Sequence, residues 1–190
     1  MKNRITVFAV ALLGWMVAAS VQPVIAQDNT PTNPAAVNAP LRSMVELGSV
    51  YSNIYDITIT VLEAVRGSAA MERLKAADPN VKAPADGFDY VLARVKFELK
   101  GRSVSDNLSF DLGDEPLQWI TLSGSELTEY DHVSLTVPKP PLAGKVKAGG
   151  SMEGWVAFAV RQNDGKPVMV FDPDTGGATG RGKTLFFKLF

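Results

Sequence analysis

Cysteine is absent and histidine occurs once in this chain of 190 residues. Within one chain, those shortages exclude disulfides, cysteine-built zinc sites, iron–sulfur clusters, cysteine nucleophiles and any site needing two histidines. An excess of either charge is also missing, with 19 Lys and Arg against 20 Asp and Glu. Nucleic-acid binding rests on a basic patch that neutralises phosphates, so no nucleic-acid partner is expected. Beyond the first 26 residues no stretch is apolar enough to cross a membrane as a helix. What remains, at 46% hydrophobic and 21% charged, is the composition of an ordinary globular domain. A domain of about 150 residues buries roughly 68–70% of its unfolded surface, enough for a core without crosslinks.

The N-terminus reads as an export signal. Lys2 and Arg4 form a short positive region, Ile5 to Ala19 is apolar apart from Thr6 and Gly14, and Val24-Ile25-Ala26 offers small residues at the −3 and −1 cleavage positions. Residues 1–26 are therefore expected to be a signal peptide, with Gln27 as the new N-terminus. The rival reading is an uncleaved anchor, because Ile5 to Ala26 carries no charge and is long enough to span a bilayer. The helix-breaking Pro23 and the cleavage pattern favour removal. Cleavage would remove Lys2 and Arg4 and no acid, leaving 17 basic against 20 acidic residues, a net charge of −3. The expected location is extracytoplasmic, periplasmic or secreted. Residues 27–42 (QDNTPTNPAAVNAPLR) carry Pro31, Pro34 and Pro40 among Asn, Thr and Ala without apolar periodicity, which predicts a disordered linker.

From residue 43 onward the apolar period is two. Val91, Ala93, Val95, Phe97 and Leu99 alternate with Leu92, Arg94, Lys96, Glu98 and Lys100, the pattern of a strand with one buried side. Ile57, Ile59 and Val61 alternate likewise, as do Val133, Leu135 and Val137. Val156, Phe158 and Val160 oppose Trp155, Ala157 and Ala159, which predicts a strand that is central or covered by a loop. Further strands are expected near Val45–Tyr51, Leu108–Leu112, Leu117–Leu122, Val168–Phe171 and Thr184–Phe190. Ser68 to Asp78 (SAAMERLKAAD) is rich in helix formers, opens on a capping Ser and stops at Pro79. Short strands, frequent turns and one short helix predict an all-β fold, an antiparallel β-sandwich over 43–190 with a helical insertion.

The chemical motifs fare poorly. Gly177-Ala178-Thr179-Gly180-Arg181-Gly182-Lys183-Thr184 matches the phosphate-loop pattern. That loop needs a helix directly after the Lys, so that backbone N–H groups converge on the phosphates, yet Leu185 to Phe190 is strand-like. Asp172-Pro173-Asp174 resembles part of a calcium loop but lacks the closing bidentate carboxylate; a turn held by Asp side chains is expected. His132 is expected on the solvent face of its strand, and Gly149-Gly150-Ser151-Met152-Glu153 fails the nucleophile-elbow pattern at its last position. Asp114-Glu115 and Glu129/Asp131 are carboxylate pairs of the kind any acidic chain contains, and Asn107-Leu108-Ser109 is a formal glycosylation sequon. Trp119 and Trp155 read as core. No catalytic, cofactor-binding or metal residue is assigned.

Asp86 to Lys96, with its Gly-Phe-Asp-Tyr-Val-Leu lead into a long strand, the Gly150-x-x-x-Gly154-Trp155-Val156-x-Phe158 segment and the Pro167-x-Met-Val-Phe171-Asp172 strand together resemble the DUF4352 family of secreted bacterial domains, which is related in fold to the mycobacterial secreted antigen MPT63. The resemblance covers most of residues 45–190 and implies an immunoglobulin-like extracytoplasmic sandwich. It carries no catalytic residues, and the lipid-attachment cysteine of many relatives is missing here. Independently of it, Gly149 and Gly150 suit positive φ in a hairpin, and Gly154 suits close approach of a neighbouring chain.

The function expected is therefore a binding module with a protein or cell-envelope partner and no catalysis, its candidate surfaces being the loops Gly101–Asn107 and Asp172–Gly182. The alternative is a carrier of a small ligand or calcium ion at the Asp172–Asp174 turn or near the tryptophans. An enzyme ranks third, with His132 as its only obvious neutral-pH base.

Overall fold

The structure, a computed structural model, describes residues 24–25, 28–48, 53–102, 108–113, 118–174 and 180–190. Most of residues 1–26, expected to be a signal peptide, and parts of both candidate loops, residues 103–107 and 175–179, lie outside them. The fold is the all-β antiparallel sandwich with one short helix that the period-two pattern implies.

The larger sheet is built on four long strands: β2 (Leu41–Leu47), β3 (Asn53–Arg66), β4 (Phe88–Gly101) and β8 (Ser151–Arg161), in that spatial order. Two short strands share the free edge of β2: β1 (Val24–Ile25) runs parallel to it, and β10 (Gly180–Gly182) runs antiparallel. Register follows hydrophobicity. Ile57 faces Leu99, Ile59 faces Phe97 and Val61 faces Val95, and across the next ladder Val91 faces Phe158 and Ala93 faces Val156. A bulge between Val61 and Glu63 shifts the ladder by one residue. Without it Glu63 would fall opposite Ala93 and point into the core; with it, Glu63 pairs with Arg94 on the outer face.

The facing layer is a three-stranded sheet of β11 (Leu185–Lys188), β9 (Val168–Phe171) and β6 (Trp119–Leu122), with a two-stranded ribbon of β5 (Ser109–Asp111) and β7 (Lys145–Lys147) beside it. The inner faces meet in an aromatic cluster around Phe171. Its ring centroid lies 4.7 Å from Trp119, 5.8 Å from Phe110 and 5.9 Å from Phe97, separations at which ring pairs attract beyond simple area burial. Trp119 is core, as expected, and its indole N–H is buried without a hydrogen-bond partner.

Four local expectations are corrected. Residues 28–40 are not a free linker: Asn29 and Ala35 bond the backbone of β11, and Asn38 N–H donates to Val61, while Leu41 and Arg42 already belong to β2. The prolines suppress apolar periodicity, but the segment is ordered by a sheet edge distant in sequence. The helix α1 (Ser68–Ala77) has Gly67, not Ser68, at its cap, with φ 63°, a backbone region that strongly favours glycine. Residues 132–137 alternate in burial but pair with no strand. β8 is not central. It ends its sheet, and its open edge is covered by residues 140–142 through hydrogen bonds Leu142 N–H to Trp155 O and Trp155 N–H to Pro140 O. Finally, Gly149 has φ 79° as expected, whereas Gly150 is not among the positive-φ glycines. Gly154 serves the close approach foreseen: a Cβ there would run into the backbone of Pro141 and Leu142.

Candidate functional site

The outer face of the large sheet is divided. Its β2-to-β4 half carries charge, with Arg102 bridging Asp56 at 2.7 Å and Lys96 bridging Glu98 at 2.7 Å. Its β4-to-β8 half carries a second apolar cluster of Tyr90, Leu92, Trp155 and Ala157, roofed by Ala70 and Leu74 of α1 and by Leu135 and Val137 of the extended segment 131–139. This explains the two-faced apolar pattern of β8: one side feeds the sandwich and the other feeds this minor core.

Trp155 sits at the centre of that second cluster. The Arg73 guanidinium lies 5.1 Å from its ring centroid, within cation–π range. The same Arg73 donates to Glu63 at 2.6 Å, and this hydrogen bond holds the Glu63 carboxyl below its usual value. Glu63 can occupy that position only because the bulge has turned it outward.

Beside Trp155 runs a groove of about 250 Å³. Trp155 and Ala157 line it together with Val133, Leu135 and Val137 on one side and Pro141, Leu142 and Ala143 on the other, and His132 and Lys139 reach it as well. One flank is unusual. In residues 131–139, burial alternates (Val133, Leu135 and Val137 half-buried; His132, Ser134 and Thr136 exposed) as in an edge strand. Yet among the described residues this segment makes no backbone hydrogen bond. A run of open N–H and C=O groups in extended chain is a template for strand pairing.

A wider, polar basin of about 540 Å³ lies between the 123–131 loop and the 161–166 turn. Its organiser is Asp164, whose carboxylate accepts from Gly124 N–H at 3.1 Å, Lys166 N–H at 3.0 Å and Tyr130 Oη at 2.8 Å. Burial, and then this bond to Asp164, raise the Tyr130 phenol above its ordinary value. All the Asp164 contacts lie within the loop framework, so the group serves to shape the turn.

His132 is exposed, as its alternation predicts, and lines the groove. The Asp172 carboxylate accepts from Asp174 N–H at 3.0 Å and Asp174 accepts from Gly182 N–H at 3.2 Å, the side-chain-held turn expected there. After Lys183 the chain enters strand β11, not a helix, so the phosphate-loop pattern lacks its structural context. Glu129 and Asp131 are exposed, Glu153 of the failed elbow pattern pairs with Arg94, and Asp114, Glu115 and Asn107 lie outside the described residues. Sequence reasoning missed the groove and the open segment; the signal available was the Pro138-Lys139-Pro140-Pro141 run that follows the alternation, in which prolines cannot continue a ladder.

Among the described residues, no group of three His, Asp or Glu side chains could hold a metal ion, and no helix is long and apolar enough to cross a membrane. Comparison with protein-family models, with curated proteins and with solved structures finds no match.

Proposed function

We propose that this chain is an exported, immunoglobulin-like binding module of the kind its resemblance to the DUF4352 domains implies, that it acts on a protein or cell-envelope partner, and that it performs no catalytic step. The observation that carries this reading is the extended segment 131–139, whose backbone is unpaired beside the Trp155 groove. Strand addition supplies affinity through main-chain hydrogen bonds and selectivity through pockets for alternate side chains, and both elements lie together here. The net charge of −3 after signal removal argues against nucleic acid as the partner.

The test is a photo-crosslinking residue placed at Ser134, exposed in the segment, or at Lys100, exposed on the charged half of the same sheet. Both variants are expressed in the native cell and activated in the envelope fraction. A discrete adduct from position 134 and none from position 100 supports the reading. Identical patterns from both positions, or no adduct from either, overturn it.

The groove favours a second reading, a carrier of a small apolar ligand enclosed against Trp155. That reading expects Trp155 emission to shift and the melting temperature to rise with a fatty acid or an aromatic alcohol. An unchanged melting temperature across such a series removes it. The calcium version has less support, because the described Asp172 and Asp174 carboxylates are engaged by turn N–H groups.

A further inference from the structure

The charges at the two ends of the open segment indicate what pairs with it. Asp131 stands at its start and Lys139 at its end, both exposed and neither in an ion pair among the described residues, and residues 132–138 between them carry no Asp, Glu, Lys or Arg. Such a segment is complementary to itself, but in the antiparallel sense alone. Laid antiparallel about Leu135, it sets Asp131 opposite Lys139 of a second copy, Val133 opposite Val137, and Ser134 opposite Thr136. Laid parallel, it sets like charge against like, which destabilises a ladder. Pro138 then falls opposite His132. When the Leu135 pair is one that exchanges hydrogen bonds, the Pro138 pair is a non-bonded one in the alternating antiparallel ladder, and its missing N–H costs nothing.

We propose that segment 131–139 is a self-association edge, pairing antiparallel with the same segment of a second copy to form an isologous two-fold dimer. The inward side chains of both segments lie on one face of the resulting two-stranded ribbon, so that single face stays matched to the Trp155 clusters of both copies. A two-fold axis doubles every contact, and each substitution is therefore felt twice. This inference rests on the reading of the segment as a docking edge and names its partner as the chain itself.

The experiment is sedimentation equilibrium on the purified chain, with the signal segment removed, at low salt and over a wide concentration range. The wild type is expected to show monomer–dimer behaviour. Asp131→Lys alone and Lys139→Asp alone each turn two attractions into two repulsions and are expected to weaken dimerisation by roughly fivefold to thirtyfold, from the strength of exposed pairs. The double variant Asp131→Lys/Lys139→Asp restores the match and is expected to return to within about threefold of wild type, as coupling between paired residues requires. Val133→Pro, at a half-buried position whose backbone bonds nothing among the described residues, is expected to abolish the dimer while the melting temperature of the monomer is kept. A wild type that stays monomeric, or a double variant no better than the singles, overturns the proposal. A monomeric wild type whose Ser134 probe still captures a different envelope protein overturns self-pairing alone and leaves the binding-module reading standing; absence of both dimer and adduct removes both.

Discussion

Asn29 and Phe186, 157 residues apart, are joined by two hydrogen bonds through a single side-chain amide: Phe186 N–H donates to Asn29 Oδ1 at 2.7 Å, and Asn29 Nδ2 donates to Phe186 O at 2.8 Å. The amide imitates a neighbouring strand. Ala35 extends the imitation, donating to Phe186 O at 2.9 Å and accepting from Lys188 N–H at 2.8 Å. The segment thus closes the outer edge of β11, where an uncovered strand would invite pairing with other chains.

Asn29→Ala is expected to cost about 1–3 kcal/mol, the net worth of two such bonds. Denaturant midpoints measure it, and amide exchange at Phe186 should quicken. An unchanged midpoint would mean the N-terminal strap contributes nothing to the fold.

Gly154→Ala should be damaging, since the added methyl meets the Pro141–Leu142 backbone that seals the edge of β8. Overpacking of this kind costs about 1–3 kcal/mol. Gly165→Ala, where a Cβ would meet nothing within 4 Å, is expected to stay within about 0.5 kcal/mol of wild type. Thermal melts of the pair test the assignment, and equal effects would contradict it.

Phe171→Ala removes the ring that Trp119, Phe110 and Phe97 share. A loss of about 3–5 kcal/mol is expected by urea titration. A loss below 1 kcal/mol would place the core elsewhere.

Much of this architecture was legible because burial on one side leaves a period of two in the sequence. Arg94, Lys96 and Lys100 mark the open side of β4, and Val95, Phe97 and Leu99 its closed side. Three kinds of feature were not legible. The short strands β1, β7 and β10 hold two or three residues each, too few for any period to register. The strap at 28–40 depends on partners at Val61 and in β11 that no local pattern names. Alternation at Val133, Leu135 and Val137 suggests a paired strand, but alternation reports which side is covered, not whether the backbone has a neighbour. The candidate site lay in that gap between burial and pairing.

Tyr130 gives a pH signature. Its raised folded-state pKa, set first by burial and then by the bond to Asp164, means the unfolded chain loses the phenolic proton first as pH rises. Stability tied to this group is therefore complete below about pH 10, the ordinary phenol value, and declines above it. Tyr130→Phe is expected to flatten the alkaline limb of the stability curve. The tyrosinate absorbance difference between wild type and Tyr130→Phe should report a phenol that titrates above its ordinary value; a difference curve centred on the ordinary value would contradict the assignment.

The central claim is that segment 131–139 is an open edge awaiting a strand, and hydrogen exchange on its amides tests this most directly. In the dilute monomer these amides should exchange at nearly unprotected rates while those of Ser151–Arg161 stay slow, and raising the concentration until copies pair should slow Val133, Leu135 and Val137. Slow exchange in the dilute monomer would show the edge already satisfied within the fold, and rates that never change with concentration or in envelope extract would show that nothing docks there.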